Sequence, residues 1–247
     1  MSAPAAIVCR CAYARPVPAA RVDGIVRELA ASGAEAIVVD DLCALAARRD
    51  PRLAEWAARP GARLFACQPR AVRSLLRAAG LEPPAGLDAV NLRDGAAPAA
   101  EPAAAPPDGW LPWFPAIDRE RCTGCRQCLG FCLFGVYEPD AGGGVRVTRP
   151  EQCKPNCPAC ARICPAAAIV FPKCPESPID GAPIVDEEAI RERARAAREG
   201  LPGGDLRAVL AERRRRARPA LVDRERLAAG ATAAPAPSDA ARRGGAP

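Results

Sequence analysis

The sequence predicts a small α/β domain on a parallel sheet, then a cysteine-rich α+β domain, then a tail that is helical and finally disordered. Three observations lead there. Residues 5 to 92 alternate short apolar runs with amphipathic stretches, eight cysteines crowd between Cys122 and Cys164, and the chain beyond residue 183 turns to charged and then Ala/Pro/Gly-rich sequence. The expected divisions are an α/β domain at 1–92, an Ala/Pro linker at 93–109, a cysteine-rich domain at 110–182, a helical extension at 183–227 and a disordered tail at 228–247.

In the first domain, Ala6-Ile7-Val8, Ala36-Ile37-Val38-Val39 and Arg63-Leu64-Phe65-Ala66 read as buried parallel strands, with Asp88 to Leu92 as a fourth. Amphipathic helices fall between them. Ala20 to Ser32 presents Val22, Ile25, Val26 and Leu29 on one face and stops at Gly33; Arg70 to Ala79 presents Val72, Leu75 and Leu76 and stops at Gly80. Leu42 to Arg49 and Pro51 to Arg59 make two shorter helices. Cys9, Cys11, Cys43 and Cys67 all fall at carboxyl ends of strands, the edge where open α/β sheets bind ligands, so they are candidates for one shared site. The alternative is that they are buried small hydrophobes.

The linker RDGAAPAAEPAAAPPDG has no apolar periodicity and reads as an extended, mobile spacer that lets one module swing against the other. After it, Phe114 to Asp118 reads as a short strand partnered by Val136-Tyr137, Gly142-Gly143-Gly144 as a turn, and Val145 to Val147 and Ala168 to Phe171 as further strands. The cysteines form two runs: Cys122, Cys125, Cys128, Cys132 and then Cys153, Cys157, Cys160, Cys164 followed by Pro165. Thiolates two residues apart, on tight turns helped by Gly124 and Pro158, can wrap one corner of a cubane. Zinc ribbons instead use separated Cys-x-x-Cys pairs. The chain has no His, which removes His-ligated zinc, Rieske centres and a Cys–His nucleophile. Cys174 is an odd thiol and reads as structural filler.

Asp186 can cap a helix to Glu199, and Asp205 a second that carries Leu206, Val209 and Leu210 and ends before Pro219. The formal charge is +6, but each four-iron cluster bound through four thiolates carries about −2, so the basicity is a feature of the apoprotein and does not argue for nucleic acid. Residues 1 to 20 lack the pattern of a signal peptide, and no run of about 20 apolar residues spans a bilayer. A cytoplasmic protein with reduced cysteines is expected.

Two resemblances refine this reading. Cys-x-Cys after a first strand, a later cysteine, and Cys67-Gln68-Pro69-Arg70 after another strand resemble the amino-terminal iron–sulfur domain of the flavin-bearing heterodisulfide reductase chains. That resemblance implies a [4Fe-4S] cluster on Cys9, Cys11, Cys43 and Cys67. The flavin-binding domain of that family has no counterpart here, since no Gly-x-Gly-x-x-Gly opens a helix. The two cysteine runs resemble the bacterial two-cluster [4Fe-4S] ferredoxins over about residues 112–172, implying a ferredoxin-like α+β fold. In that family the fourth cysteine of each run ligates the other cluster. Carried over, Cys122, Cys125, Cys128 and Cys164 hold cluster one, and Cys132, Cys153, Cys157 and Cys160 hold cluster two. Leu133 stands where the family has proline, and the gap from Cys153 to Cys157 carries an extra residue.

The expected function is single-electron transfer through two [4Fe-4S] clusters and a third, with no catalytic residues on this chain. Its partner is expected to be a flavoprotein, or a hydrogenase-like or heterodisulfide reductase-like oxidoreductase. The alternatives are a non-catalytic wiring subunit of such a complex, a dithiol protein using Cys9 and Cys11, and a metal-stabilised nucleic-acid binder.

Overall fold

A computed structural model describes residues 5–14, 16–95, 99 and 101–199. Four strands, β1 (Ala5–Cys9), β2 (Glu35–Val39), β3 (Arg63–Ala66) and β4 (Asp88–Asn91), form one parallel sheet in the order β2-β1-β3-β4. Parallel pairing requires crossovers, and the amphipathic stretches supply them. They are α1 (Ala19–Ala31), the short pair α2 (Leu42–Ala47) and α3 (Arg52–Ala57), and α4 (Pro69–Ala78). Apolar spacing places Val22 and Leu29 of α1 and Val72, Leu75 and Leu76 of α4 in the core, as the sequence predicts. The Asp41 carboxylate caps α2 by accepting from Ala44 N at 2.9 Å.

The second half holds short elements: β5 (Ala116–Ile117), α5 (Gln127–Phe131), β6 (Tyr137–Pro139), β7 (Val145–Val147), α6 (Ala159–Arg162) and β8 (Ile169–Val170). Its strand pairing differs from the sequence expectation. β5 pairs antiparallel with β8, and Tyr137 pairs with Val147 in the β6–β7 hairpin, so Val136-Tyr137 is not the partner of the strand at 114–118. The reason is local closure. Asp140 accepts from Gly144 N at 2.7 Å and folds the glycine turn back on itself, so β7 reaches β6 across a short loop. α7 (Glu187–Glu199) follows, its Ala189 N donating to Asp186 at 2.9 Å as the capping pattern predicts. The helix expected from Asp205 and the disordered tail lie outside the described residues.

The two halves share one continuous core. α4 packs against α2 on one side and β5 on the other. Gly181, at φ +97°, lies so close that a Cβ there would meet Ala71 Cβ at 2.6 Å. Charged side chains close the seam. Arg70 donates to Ala167 O at 2.9 Å and to Pro178 O, and faces Asp118 at 3.4 Å. Arg93 pairs with Asp180 at 3.1 Å and donates to Pro172 O at the same distance. These contacts correct the swinging-module expectation. The connecting segment is also tied down, through Ala104 N to Ala12 O at 2.9 Å and the Arg48–Asp108 ion pair. Composition gives the segment no apolar pattern of its own, but its ends are fixed by the docking of the two halves.

Among the described residues, no helix is long and apolar enough to cross a membrane.

Candidate functional site

Strand order reverses between β1 and β3, so the crevice at their carboxyl ends is the switch point of the sheet. The four amino-terminal cysteines converge around it. Cys9 ends β1, Cys11 follows in a left-handed conformation at φ 49°, Cys43 lies in the first turn of α2, and Cys67 follows β3. All four are buried. Cys11 hydrogen-bonds Cys9, which holds the Cys9 thiol below its ordinary value and pushes Cys11 well above it. Burial, with the nearby Cys9 charge, pushes Cys67 up to about 12. Burial also raises Cys43 well above the usual range, against the pull of Lys173 and with the charges of Asp41, Cys67 and Cys9 adding to it. Leu42 N donates to Cys9 Sγ at 3.3 Å. Thiols packed this way cannot all ionise unless positive charge joins them, which is what an iron–sulfur core brings to its ligands.

In the second half the eight cysteines gather in two sets. Cys128 is pushed up to about 12 by burial and then by the charges of Cys164, Cys122 and Cys125. Cys164 is raised by burial, opposed by N–H groups including Ala168 N at 3.3 Å, and raised by Cys125 and Cys122. Cys153 is likewise pushed to about 12, by burial and then by Cys132 and Cys157. Burial raises Cys160 well above its usual range, with Cys153, Cys128 and Cys132 adding to it, and the Tyr137 hydroxyl lowers it by donating to Cys160 Sγ at 3.1 Å. The last cysteine of each run therefore lies beside the other run.

A cavity of about 200 Å³ fits the second set. Cys132, Cys153, Cys157 and Cys160 all line it, with Phe131, Val136 and Tyr137 supplying apolar wall. Among the described residues, no three Cys, Asp or Glu side chains converge as ligands of a single metal ion. A tetrahedral zinc needs its sulfurs about 2.3 Å from one point. A four-iron core offers each thiolate an iron of its own and takes a wider ring.

Two relatives decide the family of the chain. Ferredoxin-3 of Nostoc is 35% identical over 74 residues, covering 23% of this chain and 75% of that protein; an uncharacterized ferredoxin of Methanocaldococcus jannaschii, MJ0722, is 37% identical over 57 residues, covering 22% of the chain and 73% of its own length. The chain belongs to the ferredoxins. This ferredoxin is also 43% identical over 63 residues, 25% of its length, to a second uncharacterized M. jannaschii ferredoxin, MJ0251, of which it spans only 42%. It is 33% identical over 60 residues, 24% of the chain and 67% of the relative, to the pyruvate synthase subunit PorD of that organism. No family model matches the chain, and no solved structure matches it significantly.

Sequence reasoning misses two residues at these sites. Tyr137 reads only as a strand residue, yet its hydroxyl reaches a sulfur. Lys173 is buried, its Nζ 2.7 Å from Asp41 Oδ2 and 3.0 Å from Pro112 O, at the edge of the amino-terminal site. A signal for it exists. Lys154 and Lys173 are the only lysines in a chain otherwise cationic through Arg, and each abuts a cysteine, Cys153 and Cys174. Cys174 itself is buried beside Arg162 and Glu176.

Proposed function

We propose that this ferredoxin passes single electrons through two [4Fe-4S] clusters in its second half and a third at Cys9, Cys11, Cys43 and Cys67. Cys122, Cys125, Cys128 and Cys164 hold the first cluster, and Cys132, Cys153, Cys157 and Cys160 the second. The carrying observation is the interleaving of the two runs around a cavity lined by one complete set of four thiols. We assign the likeness to the curated ferredoxins to this segment, because it carries both four-cysteine runs.

When bound, the clusters supply one-electron chemistry at potentials tuned by hydrogen bonds to sulfur, burial and local charge. The protein's own contribution is visible in its residues. Tyr137 O–H, Leu42 N–H and Ala168 N–H donate to sulfur, and Val136 and Phe131 give the thiols of the second set an apolar wall. No catalytic group is assigned, so substrate chemistry belongs to a partner. Likeness to PorD, by its name one subunit of a larger enzyme, supports a wiring role beside an oxidoreductase, whether flavoprotein, hydrogenase-like or heterodisulfide reductase-like.

Anaerobic purification with iron and sulfide counting tests this. About twelve irons per chain supports three clusters, and about eight leaves the amino-terminal site without one. A second reading then applies. The Cys11–Cys9 hydrogen bond favours a redox-active dithiol, and thiol titration before and after mild oxidation would detect the loss of two thiols.

A further inference from the structure

The only cation the second half buries against the amino-terminal cysteines is Lys173 among the described residues, and its surroundings make it more than a packing element. It follows the end of β8, crosses the seam between the halves and stops with Nζ 2.7 Å from Asp41 Oδ2, both side chains essentially sealed from water. Asp41 Oδ2 has no hydrogen-bond partner besides this ion pair, while its Oδ1 caps α2. That cap places Cys43 in the first turn of the helix, and Leu42, the residue directly after Asp41, donates its N–H to Cys9 Sγ. One of the four thiols, Cys43, is thus built on the segment that Lys173 grips, and a second, Cys9, accepts a hydrogen bond from it.

A sealed ion pair is weak support for a fold, since desolvation cancels much of its attraction, so its presence calls for another reason. The other cation near the site, Arg93, is neutralised by Asp180 and acts on Cys67.

We propose that Lys173 is the counter-charge that the ferredoxin half contributes to the Cys9/Cys11/Cys43/Cys67 site, and that with Asp41 it sets the potential at which that site accepts an electron. A fixed positive charge favours the state with one more electron, and Asp41 tempers it. Lys173 is a positioning and charge-setting residue, and it touches no substrate. The inference rests on the amino-terminal site holding a cluster, so the experiment tests the two separately.

The full-length protein is purified anaerobically as wild type, Cys67→Ser, Asp41→Asn and Asp41→Asn/Lys173→Met, and iron is counted before redox titration followed by electron paramagnetic resonance. Asn keeps the helix cap while removing the charge. Iron falling by about four in Cys67→Ser establishes the site. Asp41→Asn is then expected to make one cluster easier to reduce by about tenfold, about 59 mV for one electron, and the double variant to lose that gain. If the double variant loses iron, Asp41→Asn/Lys173→Gln, which retains a donor for Pro112 O, takes its place. Iron unchanged in Cys67→Ser overturns the cluster reading and the proposal with it. Iron that falls, with Asp41→Asn and the double variant at the same potential, overturns the proposal alone.

Discussion

The Tyr137 hydroxyl donates to Cys160 Sγ at 3.1 Å with both side chains buried, on the first residue of β6 and in the middle of α6. Hydrogen bonds to sulfur stabilise the more negative state of an iron–sulfur site. Tyr137→Phe is therefore expected to lower the potential of the cluster assigned to Cys160 by tens of millivolts. A bond to a charged acceptor is worth about 1.5–3 kcal/mol, and only part of it differs between oxidation states. Redox titration of the variant beside wild type checks this; an unmoved potential removes Tyr137 from the site.

Iron removal should unfold much of the second half. β5 and β8 have two residues each and α6 has four, lengths that cannot persist on their own. Metal binding and folding of residues 110–182 then form one event. Chelation under anaerobic conditions is expected to abolish near-ultraviolet circular dichroism from Trp113, whose ring packs at a tilt against Phe171 with centroids 5.4 Å apart. A native-like apoprotein signal would contradict this.

Arg70 is the hinge pin of the seam, contacting Asp118, Ala167 O and Pro178 O. Arg70→Met leaves the buried Asp118 carboxylate without its cation. The expected loss is about 2–4 kcal/mol, the lower end reflecting the guanidinium's partial exposure. Denaturant unfolding should also change from one transition toward two as the halves uncouple.

Gly181 permits the close approach to α4. Its φ of +97° is strained for any other residue, and an added Cβ would sit 2.6 Å from Ala71 Cβ. Gly181→Ala is expected to cost about 2–4 kcal/mol, read as a lower denaturation midpoint.

Asp140 supplies a pH dependence. Hydrogen bonding from Gly144 N–H, with help from Arg119, holds its carboxyl below the usual value. A depressed folded value means the contribution is complete above the unfolded carboxylate range, near pH 4, and disappears as pH falls through the folded one. Protection of the β6–β7 turn amides, taken relative to their intrinsic exchange rate, should therefore fall in acid, and Asp140→Asn should blunt that fall.

The local features are legible in the sequence. Runs such as Ile7-Val8 and Leu64-Phe65 mark the parallel strands, Asp186 marks the α7 cap, and the cysteine spacing marks the two sets. What escapes is long-range. Nothing periodic links Lys173 to Asp41 or Arg70 to Ala167, which lies 97 residues further along the chain. The β5–β8 pairing is hidden for a similar reason: two-residue strands carry too little alternation to declare their partner. The seam is concealed within α4, because Ala71 and Val72 pack equally well under a sheet or against a second domain.

Of the thirteen cysteines, Cys125 alone is exposed, whereas the four around the sheet edge are all buried. The molecule therefore has a polarity between its surface and its interior. Air reaches the Cys125 end first, so oxidative damage should begin there and spread inward, and on the proposed assignment a sample handled in oxygen would lose the Cys125 cluster before the sheltered thiols were touched.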